Sequence, residues 1–337
     1  MCDGASDAMN FHFPETLSED HQRLARSLAR FVAAEIEPRA TGMTDCGEAV
    51  KLLAQADLLR YAVALPMPPL DVRALCVVRE ALARSSPFAD YAFATQGLAC
   101  YPLALAAPDH IRDFWLSRVI AGRSVAAISW PRGKMLEARR EGDVYLLQGL
   151  APFTLNAGVA DFYVVFARDE REALLALVIG ARMAGLAIAA SQQVEAGYPV
   201  ADVAFDGLRA PVEELIGQPG DGERLVLATA NAFRLSHAAA ACGMAARALV
   251  EARSALEDRA GRLEAELRAA RLLLYETAYQ HDTKPEEAAL DQPATRFVLD
   301  VAHRVVVEAT AADIRSLAAA HAIARMRRGL FALRLLM

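Results

Sequence analysis

The seven histidines are the first candidates for acid–base or metal chemistry, because histidine changes its charge near neutral pH and is a common metal ligand. No two of them have the i,i+4 spacing that would place a pair of ligands on one helix face: His12, His21, His110, His237, His281, His303 and His321. Each is therefore interpreted as a surface residue, or as a core residue whose polar atoms are satisfied.

Motifs for phosphate binding and nucleophilic catalysis are missing. The sequence contains no Walker loop, G-x-G-x-x-G turn, G-x-S-x-G elbow or H-E-x-x-H helix. The loop from Gly217 to Gly222 lacks the lysine that would hold a phosphate, so it is interpreted as a boundary before a helix. Arg325, Arg327 and Arg328 are interpreted as a basic last turn that complements a helix dipole.

Composition predicts a folded protein of two or three domains. The chain has 337 residues, of which 55% are hydrophobic and 23% are charged, which is ample material for a buried core. Its 36 basic and 42 acidic residues give a formal charge of −6. A mildly acidic chain without long basic runs is not expected to be a dedicated nucleic-acid binder.

Several features bear on the compartment. Residues 1–10 lack the basic residues and apolar run of a secretory signal, and no stretch approaches the roughly 18 apolar residues of a spanning helix. The cysteines include no C-x-x-C pair and are expected to be reduced and structural: Cys2, Cys46, Cys76, Cys100 and Cys242. We therefore expect a cytoplasmic protein without membrane contacts.

Apolar periodicity predicts an α+β protein that is mostly helical, in three parts. We expect an N-terminal helical domain over residues 1–123, a middle β-barrel or sandwich domain over residues 124–217, and a C-terminal helical bundle over residues 218–337. In the last part, Gly261 is expected to separate two long helices. Residues 281–293 are expected to form a loop, and the chain from residue 294 onward is expected to be helical.

Four segments of the sequence match recognisable motifs. Residues 121–131 match a G…A-x-A-L-T-E-P strand and residues 142–149 match G-x-x-Y-x-L-N-G. Residues 153–161 match W/F-I-T/S-N-G-x-x-A-D, and residues 203–217 match V-x-F-D-x-V-x-V-P…L-L-G. These motifs, in this order and between two helical parts, resemble those of the acyl-CoA dehydrogenase family.

The resemblance implies an enzyme that binds FAD between the β-domain and the C-terminal helices and oxidises the Cα–Cβ bond of an acyl-CoA. It also implies that a carboxylate takes the α-proton while the flavin takes the β-hydride. On the matching positions, Ile128 and Ser129 would lie at the edge of the isoalloxazine ring. Phe153, Leu155 and Asn156 would lie on a second strand that faces the ring.

Other positions depart from the family pattern. Leu155 replaces the hydroxyl residue that hydrogen-bonds the flavin, and Trp130 replaces the glutamate of the first motif. Arg234 matches a retained arginine and is the substrate-binding candidate, but Phe233 stands where some members carry the catalytic glutamate. The catalytic base is therefore unknown, and three helical glutamates are possible substitutes: Glu80, Glu276 and Glu308.

Three functions stay open. The first is an FAD-dependent acyl-CoA dehydrogenase that uses an unidentified base. The second is a non-catalytic partner subunit of a heteromeric acyl-CoA dehydrogenase, with weak or no FAD binding; the short link over residues 256–262, where the family's pyrophosphate-binding arginine segment would lie, favours it. The third is a flavin monooxygenase on the same fold. Small-residue faces over residues 238–241 and 318–320 predict a homo- or hetero-oligomer, either a dimer or a tetramer.

Overall fold

The computed structural model describes residues 15–64, 70–132, 136–191, 197–284 and 291–336. Helices precede and follow a block of strands. The first helices are α1 (Glu19–Phe31), α2 (Cys46–Gln55), α3 (Val72–Ser85), α4 (Pro87–Ala106) and α5 (Asp109–Ile120). The strands are β1 (Ala126–Ile128), β2 (Leu136–Glu141), β3 (Val144–Leu155), β4 (Phe162–Asp169), β5 (Leu174–Gly180), β6 (Leu186–Ser191) and β7 (Val200–Pro211). The last helices are α6 (Gly222–Leu256), α7 (Asp258–Thr283), α8 (Asp291–Ala311) and α9 (Leu317–Leu336).

Polar side chains define where the first helices begin. Ser18 forms a capping box with His21 at the start of α1, and the His21 ring also contacts the Asp71 carboxylate at 2.9 Å. Asp71 in turn caps α3 through the backbone N–H of Ala74. These side chains satisfy N–H groups that have no partner inside a helix. Together they link the start of α1 to the start of α3.

The long C-terminal helices break at a different residue from the one expected. α6 ends at Leu256 and α7 begins at Asp258, so the junction is Glu257, whose φ is 49°. Gly261 lies inside α7, with no atom within 4 Å of the position a Cβ would take. A single glycine weakens a helix by only about 1 kcal/mol relative to alanine, so it does not by itself end one. Both ends of the expected loop over residues 281–293 are helical, because α7 runs to Thr283 and α8 begins at Asp291; residues 285–290 lie outside the described part of the chain.

The seven strands form one sheet. The pairings β1–β4, β4–β2, β2–β3 and β3–β1 close a ring of four strands, in which β1 and β2 run parallel to β4. β5 pairs with β4, while β7 and then β6 extend the sheet from β3. The ring places the end of β1 beside the end of β3.

Strand β4 shows how the sheet joins the helices. Phe162, Val164 and Phe166 belong to the core that the helices form, whereas Tyr163 and Val165 belong to a second core inside the strand block. Alternate residues of a strand point to opposite faces, so one strand serves both cores. The sheet face that carries Phe162 is therefore closed by helices.

Helix α6 is the centre of the helical part, in contact with α3, α4, α7, α8 and α9. Its residues 238–241 are fully buried within the single chain, so this small-residue face packs inside the bundle. Close packing of helices favours such small side chains, whether the neighbouring helix belongs to the same chain or another. The predicted oligomer therefore stays a prediction. Among the described helices, none combines the length and apolar character that crossing a bilayer requires.

Candidate active site

The ends of β1 and β3 bring the predicted flavin-facing residues together. Ile128 is paired with Leu155 in the antiparallel register of these strands. Ser129 follows directly: its backbone N–H donates to the carbonyl of Val164 at 3.0 Å, and its hydroxyl donates to the carbonyl of Pro152 at 3.3 Å. The side chain of Ser129 therefore has a partner within the sheet.

Asn156 connects several elements of this region through hydrogen bonds. It is fully buried and has a φ of 59°, a left-handed conformation that asparagine tolerates better than most residues. Its side-chain amide donates to the carbonyl of Ala126 at 2.9 Å, and its carbonyl accepts from the thiol of Cys46 at 3.4 Å. Its backbone N–H donates to the hydroxyl of Tyr91 at 3.2 Å. Asn156 thus joins β1, β3, α2 and α4.

The two titratable partners of Asn156 are held in their neutral forms. Burial raises the pKa of the Cys46 thiol to about 12. Burial also raises the pKa of the Tyr91 hydroxyl, which donates to the carbonyl of Pro199 at 3.2 Å. Desolvation penalises the charged form of each group. Neither side chain is therefore available as a base or nucleophile near neutral pH.

Phe153 differs from the other predicted residues because its side chain faces outward. It has a φ of 49°, and its backbone N–H donates to the carboxylate of Asp202 at 2.9 Å. Phe153 is 40% exposed, so its ring offers an apolar surface beside the end of β3. Phe153 is therefore accessible from outside the sheet, and its contact with a flavin stays a prediction.

The remaining predicted positions do not fit a flavin in this conformation. Ile128, Leu155 and Asn156 have 0% accessible surface, and Ser129 has 3%. A residue without accessible surface borders neither solvent nor a cavity large enough for water. A ring that contacted Ile128 or Leu155 would require β1 and β3 to separate from the helices that cover them.

The space between α4 and α6 is occupied by Phe233, where the resemblance would place a carboxylate in some members. Phe233 is fully buried, and its ring meets that of Tyr101 edge to face, with centroids 5.9 Å apart. On α4, a Cβ at Gly97 would lie 2.6 Å from two atoms of the Phe233 ring. Glycine at position 97 is therefore what allows the ring to fill this space.

Arg234 is adjacent to Phe233 but belongs to a partly exposed face of α6. Its guanidinium donates to the side-chain carbonyl of Asn231 at 2.7 Å, one turn earlier in the same helix. Among the described residues, no hydrogen bond joins Arg234 to Phe153 or Asn156. Its role in substrate binding stays a prediction.

None of the three glutamates considered as a base contacts this region. Glu80 is hydrogen-bonded to Arg271 and Tyr275, and its backbone lies against Gly243, about 15 Å along α6 from Phe233 at 1.5 Å per residue. Glu276 is exposed and bonded to Gln280. Glu308 is paired with Arg259 on α7. None of these three carboxylates therefore replaces the one missing at position 233.

A buried ion pair lies close to Phe233 that the sequence did not single out. Arg79 on α3 forms two hydrogen bonds of 2.8 Å with the carboxylate of Asp90 on α4. Arg79 also donates to the hydroxyl of Ser236 at 3.2 Å, and Ser236 donates to the carbonyl of Phe233 at 2.7 Å. This ion pair could not be predicted from the sequence, because a single arginine and a single aspartate on separate helices resemble ordinary surface residues.

Trp130 takes the place of the glutamate in the first motif. Its indole lies parallel to the ring of Phe166, with centroids 6.4 Å apart, and its Nε1 has no hydrogen-bond partner in the described part of the chain.

The described ranges contain no group of three His, Cys, Asp or Glu residues able to hold a metal ion. The four cysteines of these ranges are free and buried, and Cys2 lies outside them: Cys46, Cys76, Cys100 and Cys242.

Comparison with known proteins connects this geometry to a family. Residues 18–123 match the model of the acyl-CoA dehydrogenase N-terminal domain. The 3-(aryl)acrylate reductase of Clostridium sporogenes is 24% identical over 330 residues, covering 87% of each chain. The glutaryl-CoA dehydrogenase of Desulfococcus multivorans is 27% identical over 219 residues, covering 58% of this chain and 55% of its own.

Solved structures show the same fold along nearly the whole chain. Butyryl-CoA dehydrogenase from Megasphaera elsdenii superposes with a TM-score of 0.80 at 21% identity, covering 95% of this chain and 94% of its own. The FAD complex of PigA superposes with a TM-score of 0.81 at 19% identity, covering 95% and 94%. The helical–β–helical order, the family model over residues 18–123 and these relatives agree: the chain is similar to acyl-CoA dehydrogenases in fold and in sequence.

Proposed function

We propose that this chain takes part in the FAD-dependent oxidation of the Cα–Cβ bond of an acyl-CoA thioester, as a subunit of an acyl-CoA dehydrogenase. The observation that carries the proposal is that its fold matches butyryl-CoA dehydrogenase over 95% of the chain. Relatives named as acyl-CoA and glutaryl-CoA dehydrogenases support the same reaction class. Because fold alone does not fix chemistry, the share of this chain in the reaction is argued from its site.

In the first form of the proposal, the chain binds FAD itself through Ile128, Ser129, Phe153, Leu155 and Asn156. The exposed ring of Phe153 supports this form, since it offers a flat apolar surface. When bound, FAD would supply the hydride acceptor. Contact with Ile128 and Leu155 would first require the interface between β1, β3 and the helices to open, which costs the burial of those side chains.

In the second form, the chain is a partner subunit and another family chain supplies the base. The closed positions at Ile128, Leu155 and Asn156 support it, together with the buried phenyl ring at position 233. Removing a general base typically lowers a rate by about 10²–10⁴-fold, so a chain without one needs help for efficient turnover. The geometry of the described residues favours this second form.

The residues of this chain then act by holding structure. Asn156 fixes β1 and β3 against α2 and α4 through its side-chain hydrogen bonds. Phe233 keeps water out of the space between α4 and α6, where it packs on Tyr101. Phe153 is the one predicted flavin-facing residue with a substantial exposed surface, so it is available to a ring or to a second chain.

The test compares two samples. One is the purified chain alone, and the other is its complex with an acyl-CoA dehydrogenase subunit that co-purifies with it. Visible flavin absorption and the oxidation of butyryl-CoA by an artificial electron acceptor are measured for both. Stoichiometric FAD and turnover in the chain alone establish the first form, whereas FAD and turnover only in the complex establish the second. Absence of FAD and turnover from both samples, each shown to be folded by circular dichroism, overturns the function.

A matched pair of variants probes the flavin surface. Phe153→Ala removes the exposed ring, and Leu150→Ala removes a similarly exposed apolar side chain from the same strand. We expect Phe153→Ala to weaken FAD binding in the active sample and Leu150→Ala to leave it unchanged. Equal effects of the two substitutions would remove Phe153 from the site.

A further inference from the structure

A cavity separate from the candidate active site lies between α1, α3, α6 and α7. Its volume is about 180 Å³. An engineered apolar cavity of about 150 Å³ holds a benzene molecule, so this space is large enough for a small organic compound. One wall is apolar and made of small side chains: Ala25, Ala29, Val32, Val77 and Ala81.

The other wall carries charge. Three arginines, Arg84, Arg247 and Arg271, lie there with two glutamates, Glu37 and Glu80. An arginine without a direct partner beside an apolar wall favours a ligand with one negative charge and an apolar body.

Two of the three arginines are already compensated. Arg271 donates from Nε to a carboxylate oxygen of Glu80 at 2.5 Å, and Tyr275 donates to the other oxygen at 2.6 Å. Arg247 donates to the carboxylate of Glu251 at 2.7 Å and lies 3.5 Å from that of Glu37. The carboxylate groups nearest to the cavity are therefore engaged.

Arg84 is the exception. It makes no hydrogen bond or ion pair with the described residues, although its side chain lines the cavity and is partly buried. Burial lowers the pKa of its guanidinium, and the nearby carboxylates of Glu80 and Glu37 act in the opposite direction without bonding to it. An anion in the cavity would give Arg84 a direct hydrogen-bond partner. Arginine suits a carboxylate because its planar donors match the two oxygens.

We propose that this cavity binds a small organic monocarboxylate, with the carboxylate on Arg84 and the apolar body against the alanine and valine wall. Arg247 lies 14 residues beyond Phe233 in α6, about 21 Å along the helix at 1.5 Å per residue. Ligand binding here is therefore separable from flavin binding and from turnover at the candidate active site.

Isothermal titration of the full chain with hexanoate tests the proposal, and hexanol serves as the uncharged probe. Hexanoate is expected to bind more tightly than hexanol. Arg84→Gln is expected to weaken hexanoate binding by at least about tenfold, the usual effect of losing a hydrogen bond to a charged group. Arg253→Gln, on an exposed arginine of α6 that is paired with Glu264 and does not line the cavity, is the matched control and should change nothing.

A second variant keeps the proposal falsifiable if Arg84→Gln alters folding. Ala81→Leu fills the apolar wall while leaving the three arginines in place, and it should abolish hexanoate binding without changing the circular dichroism spectrum. The proposal is overturned if hexanoate does not bind the folded chain, if hexanol binds equally well, or if hexanoate binds Arg84→Gln and Ala81→Leu as it binds the unsubstituted chain.

Discussion

Gly97 on α4 and Phe233 on α6 are fitted to each other, because a methyl group at position 97 would lie 2.6 Å from the Phe233 ring. The ring in turn meets Tyr101, one turn further along α4. Two helices that could have enclosed a cleft at this point are instead joined by a buried aromatic side chain. Position 233 thus carries a phenyl ring that packs between α4 and α6 in place of a carboxylate.

Gly97→Ala is expected to lower the free energy of unfolding by about 1–3 kcal/mol, since the added methyl group overpacks the core. Combining it with Phe233→Leu should recover part of this loss, because leucine vacates the atoms that clash. Urea unfolding of the two single variants and the double variant gives the coupling. Gly261→Ala in α7, where a Cβ meets nothing within 4 Å, is the control and should be neutral or slightly stabilising. Simple additivity of the two substitutions would contradict the packing relationship.

Asn156→Ala is expected to cost about 2–3 kcal/mol of stability, because the buried carbonyl of Ala126 loses its donor and the residue must keep a left-handed backbone. Chemical denaturation measures the change. Asn231→Ala, on an exposed asparagine of α6, should change stability by no more than about 0.5 kcal/mol. If Asn156→Ala costs no more stability than this control, the hydrogen bonds of Asn156 do not hold these elements together.

Arg79→Met is expected to destabilise the chain by about 3–5 kcal/mol, because it leaves the carboxylate of Asp90 buried without its partner. Adding Asp90→Leu should restore much of the loss by removing the stranded charge. The midpoint of thermal unfolding for the single and double variants distinguishes these outcomes. A double variant at least as unstable as Arg79→Met would mean that the loss comes from packing instead of the charge.

The pair His281–Asp291 makes stability depend on pH. The hydrogen bond to Asp291 raises the pKa of His281 above its ordinary value of 6.5. A raised folded-state pKa means that the stabilisation is complete below about pH 6.5 and is lost as the pH rises through the folded-state pKa. His281→Gln should therefore flatten the fall in stability above pH 6.5, whereas His303→Gln, on the exposed face of α8, should not. An unchanged pH profile in His281→Gln would exclude this pair as its source.

Sequence patterning predicted most of the architecture, because apolar periodicity changes clearly where helices give way to strands. It missed strand β2, whose charged residues concealed the alternation of buried Leu136 and Ala138 with exposed Glu137 and Arg139. It also placed the helix break at Gly261, although the backbone turns at Glu257, a residue with no turn preference. Both errors arose where tertiary packing outweighs local preference.

The candidate site was only partly predictable. The sequence motifs located Ile128, Ser129 and Asn156, which the structure brings together at the ends of β1 and β3. It did not predict that these residues would be buried, because exposure depends on how closely the helices cover the sheet. The Gly97–Phe233 packing and the Arg79–Asp90 ion pair each join residues distant in sequence, and no local pattern signals such contacts.

The most direct test of the central claim is a titration of the purified chain with FAD, followed by visible absorption, alone and with a co-purifying family chain. We expect the folded chain alone to take up no stoichiometric flavin, because Ile128, Leu155 and Asn156 have no accessible surface. We expect flavin and acyl-CoA oxidation in the complex. Stoichiometric FAD in the chain alone, with turnover of butyryl-CoA, would contradict the central claim.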